Sequence, residues 1–272
     1  MKRHFRPTFI ILIFLGCGMF CACTPQQTDD IVIKGSTTMA PLLNRLVLAY
    51  QGHSRNRITV ESVGSMNGIK ALIRKECMIA SSSTPVSEAI KQNAEKNNVS
   101  LKAFTLCIDR IIPVVNASNP VHKISRNQLN DIFTGTISNW TGVGGTDANI
   151  QIVLRHPTSG TYHVWNRNVL NETPSAANFV QVASNSGVLA AVAANKHAIG
   201  YISKAYINLE VKQLFLPENG KNAPIERRLL LYVDTNRLSK SITSFISFLH
   251  SSPAKQIITE NGFIPAQDEW KE

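Results

Sequence analysis

Three times along this chain a short apolar run ends in a loop of glycine and small hydroxyl residues, and that loop opens a stretch of helical apolar spacing. The loops are Gly35-Ser36-Thr37-Thr38, Gly64-Ser65-Met66-Asn67-Gly68 and Thr158-Ser159-Gly160-Thr161. Strand, tight loop and helix in that order are the building units of a parallel sheet covered by helices, because parallel neighbours need a crossover between them. The same loops constrain chemistry. N–H groups at a helix start have no partner within the helix, and the dipole there favours negative charge. Hydroxyls add donors, and Arg155, four residues before Ser159, adds a fixed positive charge. The set points to a protein that holds a small oxyanion.

The rest of the chain keeps the alternation. Strand-like runs are expected at 31–33, 58–60, 78–80, 101–106, 111–115, 150–154, 199–202 and 229–233. Helices are expected around Leu42 to Tyr50 and Ile69 to Ile73, from an N-cap at Ser87, and to about Phe133. Further helices should follow Thr161 and the polar cap Asn185-Ser186-Gly187, and two more should close the chain. Residues 130–149, rich in Gly, Thr and Asn, read mainly as a loop.

The first residues belong to export. Lys2, Arg3 and Arg6 precede an apolar stretch from Phe9 to Phe20, which is signal-peptide length and short for a membrane span. Ala22 precedes Cys23, so residues 1–22 read as a lipoprotein signal peptide, Cys23 as the lipidated residue and 23–30 as a tether; Gly16 before Cys17 is the second choice. The mature chain would sit at the cell envelope, in the periplasm or on the outer face of the cytoplasmic membrane, held by its lipid. Of the five cysteines only Cys77 and Cys107 lie downstream, too few for a disulfide scaffold. They read as buried small hydrophobes or as one bridge.

With 272 residues and 43% hydrophobic content the chain can bury a large core. Loss of the leader removes three cations and no acid, taking the formal charge from +10 to +7. The basic residues are scattered, apart from Arg227-Arg228, and are not interleaved with aromatics, which argues against nucleic acid as partner. His156 and His163 flank the third loop without metal-ligand spacing, so no metal or cofactor is expected and both read as surface side chains. A serine hydrolase using Ser159 with either histidine is a further reading, but the chain has no G-x-S-x-G elbow.

The segments GSTTMAPL at 35–42, VGSMNGIKALI at 63–73, LNDIFTGTISNWTGVGG at 129–145, SGT at 159–161, NSGVLAAVAANKHAIGYIS at 185–203 and GFIP at 262–265 resemble, in order and spacing, the periplasmic phosphate-binding proteins of bacterial ABC importers, the PstS family. The resemblance implies an α/β, two-lobed periplasmic-binding-protein fold (type II-like), with mixed sheets covered by helices and a ligand cleft between lobes. It implies one lobe from residues 31–110 plus 229–272 and another from 111–228. It further implies that Thr37, Thr38, Ser65, Arg155, Ser159, Gly160 and Thr161 bind inorganic phosphate, that the cleft closes on it, and that ABC permease subunits receive it without catalysis.

The resemblance has gaps. The family places an Asp at the start of the strand before its Ala-Ser segment, where it accepts a hydrogen bond from the proton on phosphate; the matching position here is Met78. A second acid, two residues after the family Arg, is replaced by Pro157, and Thr84 stands where Arg is common. These changes imply an altered proton preference and tolerance of sulfate, or else that Glu61 leans into the cleft as a replacement acceptor, and they leave room for a sensor or accessory lipoprotein not coupled to transport.

Overall fold

A computed structural model describes residues 30–52, 57–217 and 224–267. The leader, Cys23 and all of the tether except Asp30 fall outside the described residues.

The first segment alternates β1 (Ile31–Gly35), α1 (Ala40–Gln51), β2 (Ile58–Ser62), α2 (Ser65–Ile73), β3 (Ile79–Ser82) and α3 (Glu88–Lys96). β1 lies between β2 and β3 and is parallel to both. Helix α1 forms because Leu42, Leu43, Leu46, Val47 and Tyr50 fall on one buried stripe and Pro41 sits in its first turn, where a missing N–H costs nothing. Ser87 caps α3 by accepting from Ile90 N.

β4 (Leu101–Asn116) follows, then α4 (Arg126–Thr134), β5 (Gln151–Arg155), α5 (Gly160–Trp165), β6 (Phe179–Val182), α6 (Asn185–Ala194), β7 (Ala198–Ser203) and β8 (Val211–Gln213). α4 starts on a capping box between Ser125 and Gln128 and stops at Gly135, whose φ of 90° closes the helix end. The chain returns through β9 (Ile225–Asp234) and ends in α7 (Lys240–Leu249), α8 (Ser252–Glu260) and β10 (Ile264–Pro265).

All strands join one curled sheet in the order β2-β1-β3-β9-β4-β7-β5-β6, with β8 and β10 attached to β4. β4 is the strand that spans it. Leu101 to Ile111 pair antiparallel with β9, and Ile111 to Val115 pair with β7. Apolar clusters lie on either side of this crossing. Ile33, Leu43, Phe245 and Ile258 pack in one, with Ile69, Leu72 and Tyr232 on the opposite sheet face. Phe133, Trp165 and Tyr201 centre another, and Val114, Val188 and Ile202 cover its far face. The result is a mixed α/β fold with two lobes joined through β4 and β9.

Four details differ from the sequence reading. The runs at 101–106 and 111–115 are one continuous strand, because Asp109 between them is paired with Arg227 and does not interrupt the ladder. Strands β6, β8 and β10 are short and half exposed, so they carry no strong pattern. The cap of α6 is Ser184, which accepts from Gly187 N at 3.0 Å and frees the Asn185 side chain for other bonds. His163 is not on the surface: it is half-buried, and its Nε2 is buried without a partner among the described residues. Cys77 and Cys107 are free and buried.

Candidate anion-binding site

The carboxyl ends of β1, β3 and β5 and the starts of α1, α2 and α5 converge on the cleft, as in open α/β sheets that bind ligands beyond their strand ends. The first loop is set by Gly35. Its φ is 146°, and a Cβ there would lie 2.0 Å from the Ser81 carbonyl oxygen, so only glycine lets β1 pass this close to β3. Ser36 N then donates to Ser81, while Ser36 Oγ accepts from Thr38 N and Met39 N and is hydrogen-bonded to Ser83 Oγ.

Ser65 heads α2. The N-cap there is Gly64, with no side-chain bond, so the Ser65 hydroxyl is not used for capping. It accepts from Ser83 N at 3.1 Å. Across the cleft Gly160 approaches so closely that a Cβ would lie 2.7 Å from Ser65 Oγ. Met66 N also donates to Thr158 O at 3.2 Å, which ties the second loop directly to the third.

The guanidinium of Arg155 is at the centre and is buried. Nη2 donates to Thr37 Oγ1 at 2.7 Å and to Ala183 O at 3.0 Å; Nη1 donates to Asn185 Oδ1 at 3.1 Å and reaches Thr161 Oγ1 at 3.5 Å. Its backbone N–H donates to Tyr201 Oη, and Tyr201 stacks on Trp165 with centroids 4.3 Å apart. No carboxylate contacts Arg155 among the described residues, and its Nε is buried without a partner there. Burial pushes its pKa down to about 10, so it is charged at neutral pH.

Each expected residue can now be placed. Thr37, Thr38, Ser65, Arg155, Gly160 and Thr161 line the cleft together. Ser159 lies beside them as the N-cap of α5, its Oγ accepting from Thr161 N and Tyr162 N. Both histidines meet Ser159 through the backbone alone, Ser159 N donating to His156 O and His163 N to Ser159 O, and neither ring bonds to the Ser159 hydroxyl; His156 Nδ1 pairs with Thr158 Oγ1. The hydrolase constellation is therefore not assembled.

Met78 is elsewhere. It precedes β3, at the end of the strand remote from the cleft, packs against the Ile33 cluster and accepts a contact from Arg237 Nη2 at 3.5 Å. Its identity cannot set the proton preference of the site. The residue that β3 delivers to the cleft is Ser83. Glu61 does not lean inward either: it is half exposed on β2 and pairs with Lys34 at 2.9 Å.

Sequence reasoning missed five contributors. Ser83 and Asn185 are described above, and Asn185 Nδ2 also donates to Thr38 Oγ1 at 3.1 Å. Tyr206 Oη lies 3.0 Å from Thr38 O and holds the first loop from the other lobe. Asp109 and Arg227 form a buried ion pair at 2.6 Å, and Arg227 Nη1 reaches Thr161 Oγ1 at 2.8 Å.

A cleft between two α/β lobes, lined by loops at helix starts, defines a substrate-binding protein of the periplasmic-binding class, and a model of the PBP superfamily domain matches residues 22–249. The chain is 32% identical over 278 residues to the phosphate-binding protein PstS of Borreliella burgdorferi, covering 94% of this chain and 97% of that one. PstS of Staphylococcus aureus MRSA252 is 26% identical over 86% of this chain and 77% of its own length. Among solved structures, an ABC-type phosphate transport receptor from Vibrio cholerae superposes with a TM-score of 0.72 at 31% identity, covering 87% of this chain and all of the other. A protein from Clostridium perfringens, described as a phosphate ABC transporter substrate-binding protein and solved with bound phosphate, gives 0.81 at 26%, covering 88% of this chain and all of its own. The chain belongs to the PstS family of phosphate-binding proteins.

Proposed function

We propose that this chain captures inorganic phosphate in the cleft and delivers it to an ABC importer. One observation carries the reading: among the described residues Arg155 is a buried cation with no acid beside it and an unpaired Nε, in a cleft lined by hydroxyls and helix-start N–H groups. A buried charge is tolerable when compensated, and a polyvalent oxyanion supplies both the charge and the acceptors this set needs. The names of its PstS relatives support the same ligand.

Thr37, Thr38 and Ser65 would donate from the lobe formed by residues 31–110 and 229–272. Arg155, Gly160 and Thr161 would donate from residues 111–228, with Ser159 shaping the loop between them. Capture is by closure, since bonds from both sides favour the closed state. Cys23 carries the lipid that holds the protein at the membrane beside the permease, and no chemistry is performed on the ligand. Among the described residues no helix is long and apolar enough to cross a membrane.

The test is to denature the purified protein and identify the released anion, then to titrate the stripped, refolded protein with phosphate and sulfate by calorimetry. Stoichiometric phosphate and tight rebinding are expected. Release of no oxyanion, with no heat on titration, would reject the reading.

A further inference from the structure

Arg227 is the second guanidinium buried at the cleft, and phosphate capture as set out above gives it no task. It lies on β9 directly opposite Asp109 on β4, where the two strands cross between lobes. Asp109 Oδ2 accepts from both Nε and Nη2 of Arg227, at 2.9 and 2.6 Å, and Ser203 Oγ donates to Oδ1 at 2.7 Å. That grip fixes the plane of the guanidinium and aims Nη1 at Thr161 Oγ1, 2.8 Å away.

A guanidinium only donates, and a hydroxyl has one proton and two acceptor positions. Thr161 Oγ1 therefore accepts from Arg227 and, at 3.5 Å, from Arg155, which fills both positions. Its proton must be given away, and the oxygen facing it is Thr38 Oγ1, 3.3 Å across the cleft. Thr38 Oγ1 also accepts from Asn185 Nδ2, whose amide is oriented because Asn185 Oδ1 accepts from Arg155 Nη1 and Ser203 N. Both acceptor positions of Thr38 are then occupied as well.

We propose that Arg227, clamped by Asp109, is a positioning residue that sets the direction of a hydrogen-bond chain from Arg227 through Thr161 to Thr38, so that Thr38 presents a proton and not a lone pair to the bound oxyanion. The proposal rests on the phosphate-binding reading. Arg227 need not touch the ligand. It acts by removing the choice a hydroxyl otherwise has, and a hydroxyl that turned its lone pair toward an anion would repel it.

A double-mutant cycle on the full chain tests this, because Arg227 contacts Thr161 and not Thr38, and side chains without direct contact add their effects unless something links them. Phosphate affinity is measured by calorimetry for the native protein, Thr38→Val, Arg227→Gln and the double variant. In the native background Thr38→Val should weaken binding roughly 30-fold, the scale of a hydrogen bond to a charged group. In the Arg227→Gln background it should cost no more than about 3-fold, since the direction of the chain is no longer enforced. Equal costs in both backgrounds overturn the chain while leaving phosphate capture intact. No phosphate binding by the native protein overturns both. If Arg227→Gln fails to fold, Arg227→Lys is used in the same cycle; a lysine keeps the charge but cannot hold Asp109 and Thr161 in one fork. The Thr38→Val cost should then fall below about 10-fold, and an unchanged cost again overturns the proposal.

Discussion

Arg155 Nη2 donates to Thr37 Oγ1 over 2.7 Å, and the two residues come from opposite sides of the cleft. The charge at the centre of the site is thus oriented in part by a hydroxyl from the facing wall. Replacing Arg155 removes both the charge and a fork of donors. Arg155→Ala should weaken phosphate binding about 100-fold or more, and Arg155→Lys should recover little of it, because an ammonium cannot reproduce the planar fork. Calorimetric titration decides; near-native affinity in Arg155→Ala would move the site elsewhere.

Gly160 is held against Ser65 Oγ and Ser83, with an added Cβ at 2.7 and 2.9 Å from them. Those atoms are buried, so they cannot simply swing aside. Gly160→Ala should keep the lobes from closing fully. The expected result is unchanged far-UV circular dichroism with at least about a 30-fold loss of phosphate affinity, equivalent to roughly 2 kcal/mol and within the range of overpacking penalties. Native affinity in this variant would mean that the contact relaxes freely.

The position of Met78 makes a comparison of two substitutions informative. Met78→Asp places a carboxylate against an apolar cluster, remote from the cleft, and should leave the ratio of phosphate to sulfate affinity unchanged while lowering stability. Ser83→Asp places one within reach of Ser36 and Ser65, where it accepts a hydrogen bond from the proton of hydrogen phosphate and repels sulfate. The second variant should raise that ratio at least about 10-fold. Competition titrations read it directly, and a shift produced by Met78→Asp alone would contradict the placement.

Burial lowers Arg155 from its ordinary, far more basic range to about 10. Its folded-state value is depressed, so its destabilising effect is fully present below about pH 10 and is relieved as pH rises through that value toward the unfolded one. A bound anion favours the charged form and raises the value again. Phosphate affinity should therefore be insensitive to Arg155 up to about pH 9 and fall as pH passes through 10, approaching tenfold per unit. A profile flat to about pH 11 would show that another cation holds the ligand.

Cys77 and Cys107 are buried, and burial pushes the first thiol up to about 11 and the second well above its ordinary range. Only the thiolate reacts. Alkylation at pH 8, followed by mass spectrometry of the two peptides, should be at least about 100-fold slower in the native protein than in denaturant. Rapid native labelling would mean that β3 and β4 open locally.

Most of the fold is legible because strand and helix periods are unbroken. The stripe from Leu42 to Tyr50 and the runs feeding Gly35 and Gly64 declare their elements. The cleft was legible through its loops, since Gly, Ser and Thr at three helix starts mark the chain's approach to an anion. Arg227 and Asp109 were missed for a different reason. Arg227 stands out in the sequence only as half of the basic pair Arg227-Arg228 and Asp109 does not stand out, whereas the strand position of each matters more. Arg227 shares a face with Ile225 and Leu229, and Asp109 shares one with Cys107 and Ile111, so period-two alternation already turns both inward. Opposite charges on the buried faces of two strands are a signature of a pair, but the pairing of β4 with β9 is long-range and is not written in either segment. Met78 was misplaced by a count along one short strand, where a shift of a few residues exchanges the two ends of the sheet.

The strands β4 and β9 run antiparallel through the crossing between lobes with ten paired positions and one irregularity between Thr105 and Cys107. The twist between neighbouring strands varies over a wide range in such ribbons, whereas pulling them apart must break ladder hydrogen bonds. Closure of the proposed lobes about this crossing should therefore be a rotation. On that reading sliding would cost ladder hydrogen bonds, and the donors on the two walls should meet in one alignment at each closure.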